Sequence, residues 1–160
     1  MNTNDWGKVY CEMETNEAWG DIDNIITIKN ESAPDCLVPA FNCGASTIQG
    51  NVTFPTIYNI NLGDTTGIVT LTFDAYGIPD KFIVRYDGVE VINTGYRGDL
   101  FRQAELDAEL ISRGLPTETI IAPPNGTATF NKTTNTATAQ LIVYAPLPNT
   151  AWEASLSCPV

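Results

Sequence analysis

Along most of this chain, apolar and polar residues alternate in short runs bounded by turn-favouring residues. In the stretch 68–74, Val69, Leu71 and Phe73 fall on one side of an extended chain and Thr70, Thr72 and Asp74 on the other, the signature of a strand with one buried and one wet face. The same pattern predicts strands over 51–54, 58–62, 68–75, 81–86, 89–94, 119–121, 126–131, 137–143 and 152–157. Asp87 and Gly88 stand between two of these runs as the residue pair that supplies positive φ to a two-residue type I′ hairpin. The period changes once, over 100–113, where the spacing predicts a helix with Asp99 as its N-cap and Gly114 as its left-handed stop. Phe101, Ala104, Ala108 and Ile111 share one stripe of that helix and are expected to pack on the strands. Residues 1–50 are interrupted by Asn, Asp, Pro and Gly, with short candidate strands at 7–12 and 25–29, and are expected to form an irregular N-terminal part or arm.

These elements predict an all-β fold, an antiparallel, jelly-roll-like β-sandwich with one short α-helix at about 100–113. A length of 160 residues suits a single domain over 1–160, with the sandwich at 51–160. Hydrophobic residues make up 43% of the chain and charged ones 17%, which places it among folded rather than disordered sequences. The polar start, Met1 to Asp5, leads into no apolar stretch, so neither a secretory signal nor membrane insertion is expected and the chain is expected to be made soluble.

Nineteen acidic residues against eight basic ones give a net charge of -11, which repels a phosphate backbone and makes nucleic acid an unsuitable partner. The chain has no histidine, which removes the imidazole base of Ser/His and Cys/His nucleophilic mechanisms. No GxSxG, GxxxxGK[ST] or GxGxxG motif occurs. A binding or structural role is therefore expected rather than an enzymatic one.

Hard cations take oxygen ligands, and Asp74, Asp80, Asn93 and Asp99 all fall at predicted strand ends or in loops, where they could gather around calcium. The same positions suit turn formation and helix capping, and both readings stay open. Tyr76, Tyr96 and Arg97 lie in the same segments as candidates for stacking on a sugar or a partner. Cys11, Cys36, Cys43 and Cys158 match no CxxC ligand spacing. In an oxidising setting Cys36 with Cys43 and Cys11 with Cys158 are the expected disulfides, and buried free thiols are the alternative.

The stretch Ile78 to Gly88, then Asn93 to Gly98, Phe130 to Thr133, Val143 to Leu147 and Thr150 to Pro159, resembles a β-sandwich module of tailed-bacteriophage structural proteins that also occurs in bacterial surface proteins. The resemblance covers roughly 68–159 and implies a virion component, such as a capsid decoration, neck or tail protein. Such a component would assemble as a homo-oligomer and contact other virion proteins. These modules usually carry Asp where this chain has Asn93, which weakens the calcium site that the resemblance implies. The second expectation is a calcium-dependent module that binds carbohydrate, such as a host surface glycan, and acts at an extracellular surface.

Overall fold

The period-two pattern closes into two sheets. The computed structural model describes residues 41–44 and 47–160, all within the unit Ala40–Val160. The elements are β1 (Phe41–Asn42), β2 (Ile48–Gly50), β3 (Thr53–Asn61), β4 (Gly67–Asp74), β5 (Asp80–Tyr86), β6 (Val89–Arg97), a 3-10 turn (Leu100–Arg102), α1 (Gln103–Ser112), β7 (Asn125–Lys132), β8 (Thr138–Ala145) and β9 (Trp152–Leu156). One sheet has the order β1-β3-β8-β5-β6 and the other β2-β9-β4-β7. The described strands thus form the expected sandwich with one short helix. Its pairings are antiparallel apart from β1 on β3, and successive strands change sheet at each step except the β5–β6 hairpin.

The inner faces carry the residues that alternation assigns to them. Val69, Leu71 and Phe73 of β4 meet Phe82 and Val84 of β5 and Leu141 and Val143 of β8, all buried. Phe82 is the hub: its ring stacks on Phe73 at 5.4 Å and meets Trp152 edge-on at 6.0 Å. Each such side chain contributes about 1.5–3 kcal/mol by leaving water. The hairpin turn forms as the Asp-Gly pair requires, with φ of 50° at Asp87 and 74° at Gly88.

Several expectations are corrected at the edges. The sandwich begins before residue 51, because β1 and β2 lie within the segment expected to be irregular. The strands expected at 51–54 and 58–62 are one strand, β3, broken by a register shift between Thr53 and Thr56, where Pro55 has no N–H to give the ladder. The stretch 119–121 is not a strand; it makes a single bridge from Ile121 to Arg97, and Pro123 and Pro124 then stop the pairing. The candidate strands at 7–12 and 25–29, together with Cys11 and Cys36, lie outside the described residues.

The helix ends where expected. Gly114, at φ 72°, sends its N–H to Ile111, and Leu115 sends its own to Leu110, which closes the last turn. Its buried face is the opposite of the expected one: Leu106 and Leu110 are covered, whereas Phe101 and Ile111 are 79% and 64% exposed. Gln103 sets this rotation. Its amide donates to the Glu118 carbonyl at 2.9 Å and accepts from the Ile120 N–H at 2.8 Å, so the returning chain is tied to that side of α1. Arg113 joins the same side, with its guanidinium 4.3 Å from the centre of the Phe54 ring. Among the described residues no helix is long and apolar enough to cross a membrane.

Cys43 is bonded to Cys158, with Cα atoms 4.9 Å apart, which replaces the expected pairings of Cys43 with Cys36 and of Cys158 with Cys11. Backbone pairing explains the partner. The Gly44 N–H donates to Leu156 and the Cys43 N–H to Asn61, while the tail beyond β9 runs along β4 through Ser157 to Thr70 and Val160 to Ile68. Both cysteines are thereby held within bonding distance.

Candidate functional site

The outer face of the four-stranded sheet is a patterned surface. Alternation sends Thr70, Thr72 and Asp74 of β4 outward, and the register sets Thr72 between Thr127 of β7 and Ser155 of β9. Thr70 lies opposite Thr129 in the next row. Facing residues on adjacent strands are about 4.8 Å apart, so these hydroxyls stand in rows across the sheet. Thr47, just before β2, extends the pattern, and Thr47, Thr72, Thr127 and Thr129 are all exposed.

Two adjoining hollows run over these rows. One, of about 310 Å³, is bordered by Thr47, Thr72, Asp74, Asn125, Thr127 and Glu153. The other, of about 360 Å³, shares Thr47, Thr72 and Ser155 with it and extends to Thr70 and Ser157. The combined groove reaches the size of a small-ligand site, and its lining mixes hydroxyl, amide and carboxylate groups with apolar surface from Phe73, Ala154 and Leu156.

One end of the groove is acidic and aromatic. Asp74 pairs directly with Glu153 across β4 and β9, an arrangement of like charges that costs some stability. Glu153 accepts a hydrogen bond from Gln49 Nε2 at 3.1 Å, and Asp74 accepts one from the Tyr76 N–H at 2.7 Å. Tyr76 has a φ of 54°, uncommon for a bulky residue, and keeps 47% of its surface exposed. Its phenol is raised above the ordinary value by desolvation first, then by a hydrogen bond to Glu153 and by the charges of Glu153 and Asp74. The Asp74 side chain thus fixes a left-handed turn that leaves an aromatic ring standing beside the hydroxyl rows.

Of the seven residues expected to bind a metal or a partner, Asp74 alone lines this groove, and Tyr76 stands beside it next to Glu153. Arg97 lies near its end but is committed to the backbone: Nε donates to the Pro123 carbonyl at 2.9 Å and Nη2 to Asn125 at 3.4 Å, with the guanidinium 5.2 Å from the centre of the Phe73 ring. Tyr96 is buried beneath α1 at 1% exposure, with Lys81 Nζ 4.8 Å from its ring centre, and burial, with the Glu118 charge second, pushes its phenol well up. Asp80 is fully buried, and both its oxygens accept from Thr150 Oγ1, at 3.0 and 2.8 Å. Asn93 is spent on its own turn, accepting from the Gly95 N–H and donating to Glu90. Asp99 precedes the 3-10 turn without a side-chain capping bond, and its N–H donates to Gly77. Asp74, Asp80 and Asp99 therefore do not converge, and no group of three acidic, histidine or cysteine residues that could hold a metal ion occurs among the described residues.

No family model and no curated protein matches this chain. Solved structures of low identity resemble it in fold. The pre-peptidase C-terminal domain of collagenase from Bacillus anthracis is 15% identical, with a TM-score of 0.45 over 74% of this chain and 95% of that one. CorA, a surface-associated copper-binding protein of Methylomicrobium album BG8, is 11% identical, with a TM-score of 0.43 over 76% of this chain and 98% of its own. CsCBM6-3 of Clostridium stercorarium, solved in complex with cellobiose, is 13% identical, with a TM-score of 0.31 over 74% and 79%. None of these likenesses is close enough to transfer a residue or a role to this chain.

Glu153, Thr127, Ser155 and Thr47 belong to the groove and were not expected to be part of a site. Their signal was present as polar residues alternating with apolar ones on β7 and β9, as Thr72 does on β4. Only the strand order brings β4, β7 and β9 side by side and turns those scattered residues into rows.

Proposed function

We propose that this chain is a non-enzymatic glycan-binding module that holds a neutral, extended sugar chain on the outer face of its four-stranded sheet. The observation that carries this reading is the register of Thr127, Thr72 and Ser155 in one row beside Thr129 and Thr70 in the next, under a groove with an exposed tyrosine at its end. Hydroxyls both donate and accept, as sugar hydroxyls do, and neighbouring hydroxyls within a row, about 4.8 Å apart, come close to the length of one sugar unit in an extended polymer. Tyr76 offers a face on which a sugar ring can stack. Asp74 and Glu153 accept from sugar hydroxyls and, with the net charge of -11, repel anionic polysaccharides. Such a module works where glycans are exposed, at a cell or particle surface.

The virion role implied by the sequence resemblance rests on protein–protein contacts. The hydroxyl rows end on Asp74 and Glu153, and charged residues are depleted from the buried centre of a protein interface, so the glycan reading is placed first.

Calorimetric titration with a soluble β-glucan, a xylan, a mannan and an anionic polysaccharide tests the proposal. At least one neutral polymer is expected to bind and to be recovered uncleaved, and the anionic one to be excluded. Replacing Thr72 by Val and Ser155 by Ala removes two hydroxyls at about 1 kcal/mol each and is expected to weaken binding at least about tenfold. Tyr76→Gly is expected to weaken binding as well without loss of stability, because glycine adopts a φ of 54° free of strain. Repeating the titration in calcium and in chelator tests the calcium dependence expected from the loop carboxylates. Failure of all the neutral polymers to bind would reject the reading.

A further inference from the structure

The hydroxyl row of Thr127, Thr72 and Ser155 has a different neighbour on each side. Two residues along the strands in one direction lies Thr70 with Thr129; two residues in the other, the same register sets Asn125, Asp74 and Glu153 in line across β7, β4 and β9. Residues on one face recur at every second position, so this acidic row runs beside the hydroxyl row at about 6.8 Å. All three of its residues border the same hollow of about 310 Å³ as Thr72 and Thr127. Among the described residues no cation answers its charge. Lys81, Arg102 and Arg113 pair with Glu118, Glu105 and Glu109, and Lys132 donates to the Thr65 and Thr134 carbonyls. Arg97 lies over the ring of the inward-facing Phe73 and donates to backbone carbonyls, and Arg85 belongs to the other sheet. The donors that do reach the two carboxylates are neutral: Gln49 and the Tyr76 phenol on Glu153, and the Tyr76 N–H on Asp74. Two like charges set directly opposite each other cost stability, and neutral donors leave that charge in place.

We infer that this row recognises a protonated amine on the bound sugar chain, which makes the ligand class an amino-sugar polymer with free amines on some of its units. The inference rests on the glycan reading above and narrows it: the chain is neutral over the hydroxyl row and cationic beside the acidic one. A sugar chain laid along Thr127, Thr72 and Ser155 passes next to Asp74 and Glu153, and a group pointing sideways from one ring reaches them. A hydroxyl in that place offers one hydrogen to two carboxylates. An ammonium offers three and carries the opposite charge, and hydrogen bonds between ionised partners are roughly twice as strong as neutral ones. The exposed Tyr76 ring beside Glu153 adds an aromatic face, which attracts cations as well as sugar rings. An acetylated amine is neutral and keeps one donor, so it gains none of this. A lysine-rich peptide carries the charge but lacks the hydroxyls that answer the neighbouring row.

The test titrates the full chain calorimetrically at about pH 6, where such amines are protonated, with a β-linked glucosamine hexamer, its fully N-acetylated form and cellohexaose. The glucosamine hexamer is expected to bind at least about tenfold more tightly than either neutral hexamer, and this margin to fall below about threefold in Asp74→Asn/Glu153→Gln. That variant keeps both side-chain shapes and the acceptor for the Tyr76 N–H while removing the charges. Glu90→Gln/Glu105→Gln removes two exposed charges from β6 and α1 and is expected to keep the margin. Circular dichroism checks the fold of both, and Glu153→Gln alone serves should the first double variant not fold. Neutral hexamers that bind as tightly as the amine would overturn the inference and leave the glycan reading standing. A margin kept in Asp74→Asn/Glu153→Gln, or lost equally in both double variants, would assign it to the net charge of -11 and overturn the inference too. So would a hexalysine peptide that binds as tightly as the glucosamine hexamer, which would make the ligand a protein. If none of the three hexamers binds, the glycan reading falls and the inference with it.

Discussion

Asp80 carries its carboxyl inward from the first position of β5, where, among the described residues, Thr150 alone hydrogen-bonds it. Burial raises its pKa from 3.8 to about 8, against the smaller lowering by the Thr150 hydrogen bond, so at neutral pH the folded chain holds this proton and the unfolded chain does not. The sign follows from linkage. The penalty is absent below the unfolded value, grows as pH rises from about 4, and is complete above about 8. At about 1.4 kcal/mol per pKa unit it amounts to several kcal/mol. Denaturant melts at pH 5, 7 and 9 should show stability falling with pH in the native chain and a flatter profile in Asp80→Asn, which keeps the shape without the proton; parallel profiles would sink this account. In the sequence Asp80 looked like Asp74 and Asp99, an acid beside turn residues. What separates them is depth: Asp74 ends on an outer face, Asp99 in a loop, and Asp80 under the β8–β9 connection that Thr150 ties down. Depth depends on chain that returns 70 residues later and has no local signal.

For α1, two stripes satisfied the helical period, and the sequence favoured the more apolar one, Phe101, Ala104, Ala108 and Ile111. The packed side carries the half-buried Gln103 and, just past the helix end, the exposed Arg113, polar residues whose heads meet the Glu118 and Ile120 backbone and the Phe54 ring. Hydrophobic patterning cannot register a face whose polar residues have partners waiting on it. Alanine substitution separates the two faces: Leu110→Ala should cost about 2–5 kcal/mol and Ile111→Ala within about 0.5 kcal/mol of nothing, read from denaturation midpoints. Equal losses would mean the helix is rotated from the position described. The strands were more legible, since β4, β5, β7 and β9 lie close to their expected ranges and β4, β7 and β9 alternate inward and outward as period two requires, while β5 also buries Ile83 on its other face.

Across the whole sandwich, the Cys43–Cys158 bond joins the first described segment to the last over a separation of 115 residues. A loop of that size loses much chain entropy when closed, so the Cys43→Ala/Cys158→Ala variant should be destabilised by about 2–5 kcal/mol, measured by thermal or denaturant unfolding. Its effect on sugar binding should be small at temperatures where the variant stays folded, because the hydroxyl rows rest on β4, β7 and β9 rather than on the cysteines. Composition, net charge, the Asp-Gly turn, the helix stop at Gly114 and the inward and outward sides of the central strands could all be read from the linear order of residues, because each is set by neighbours within a few positions. The pairing of the cysteines, the burial of Asp80, the rotation of α1 and the assembly of threonines and serines from three strands into one groove were decided by contacts between distant segments. Those contacts follow from strand order and register, which local periodicity does not encode.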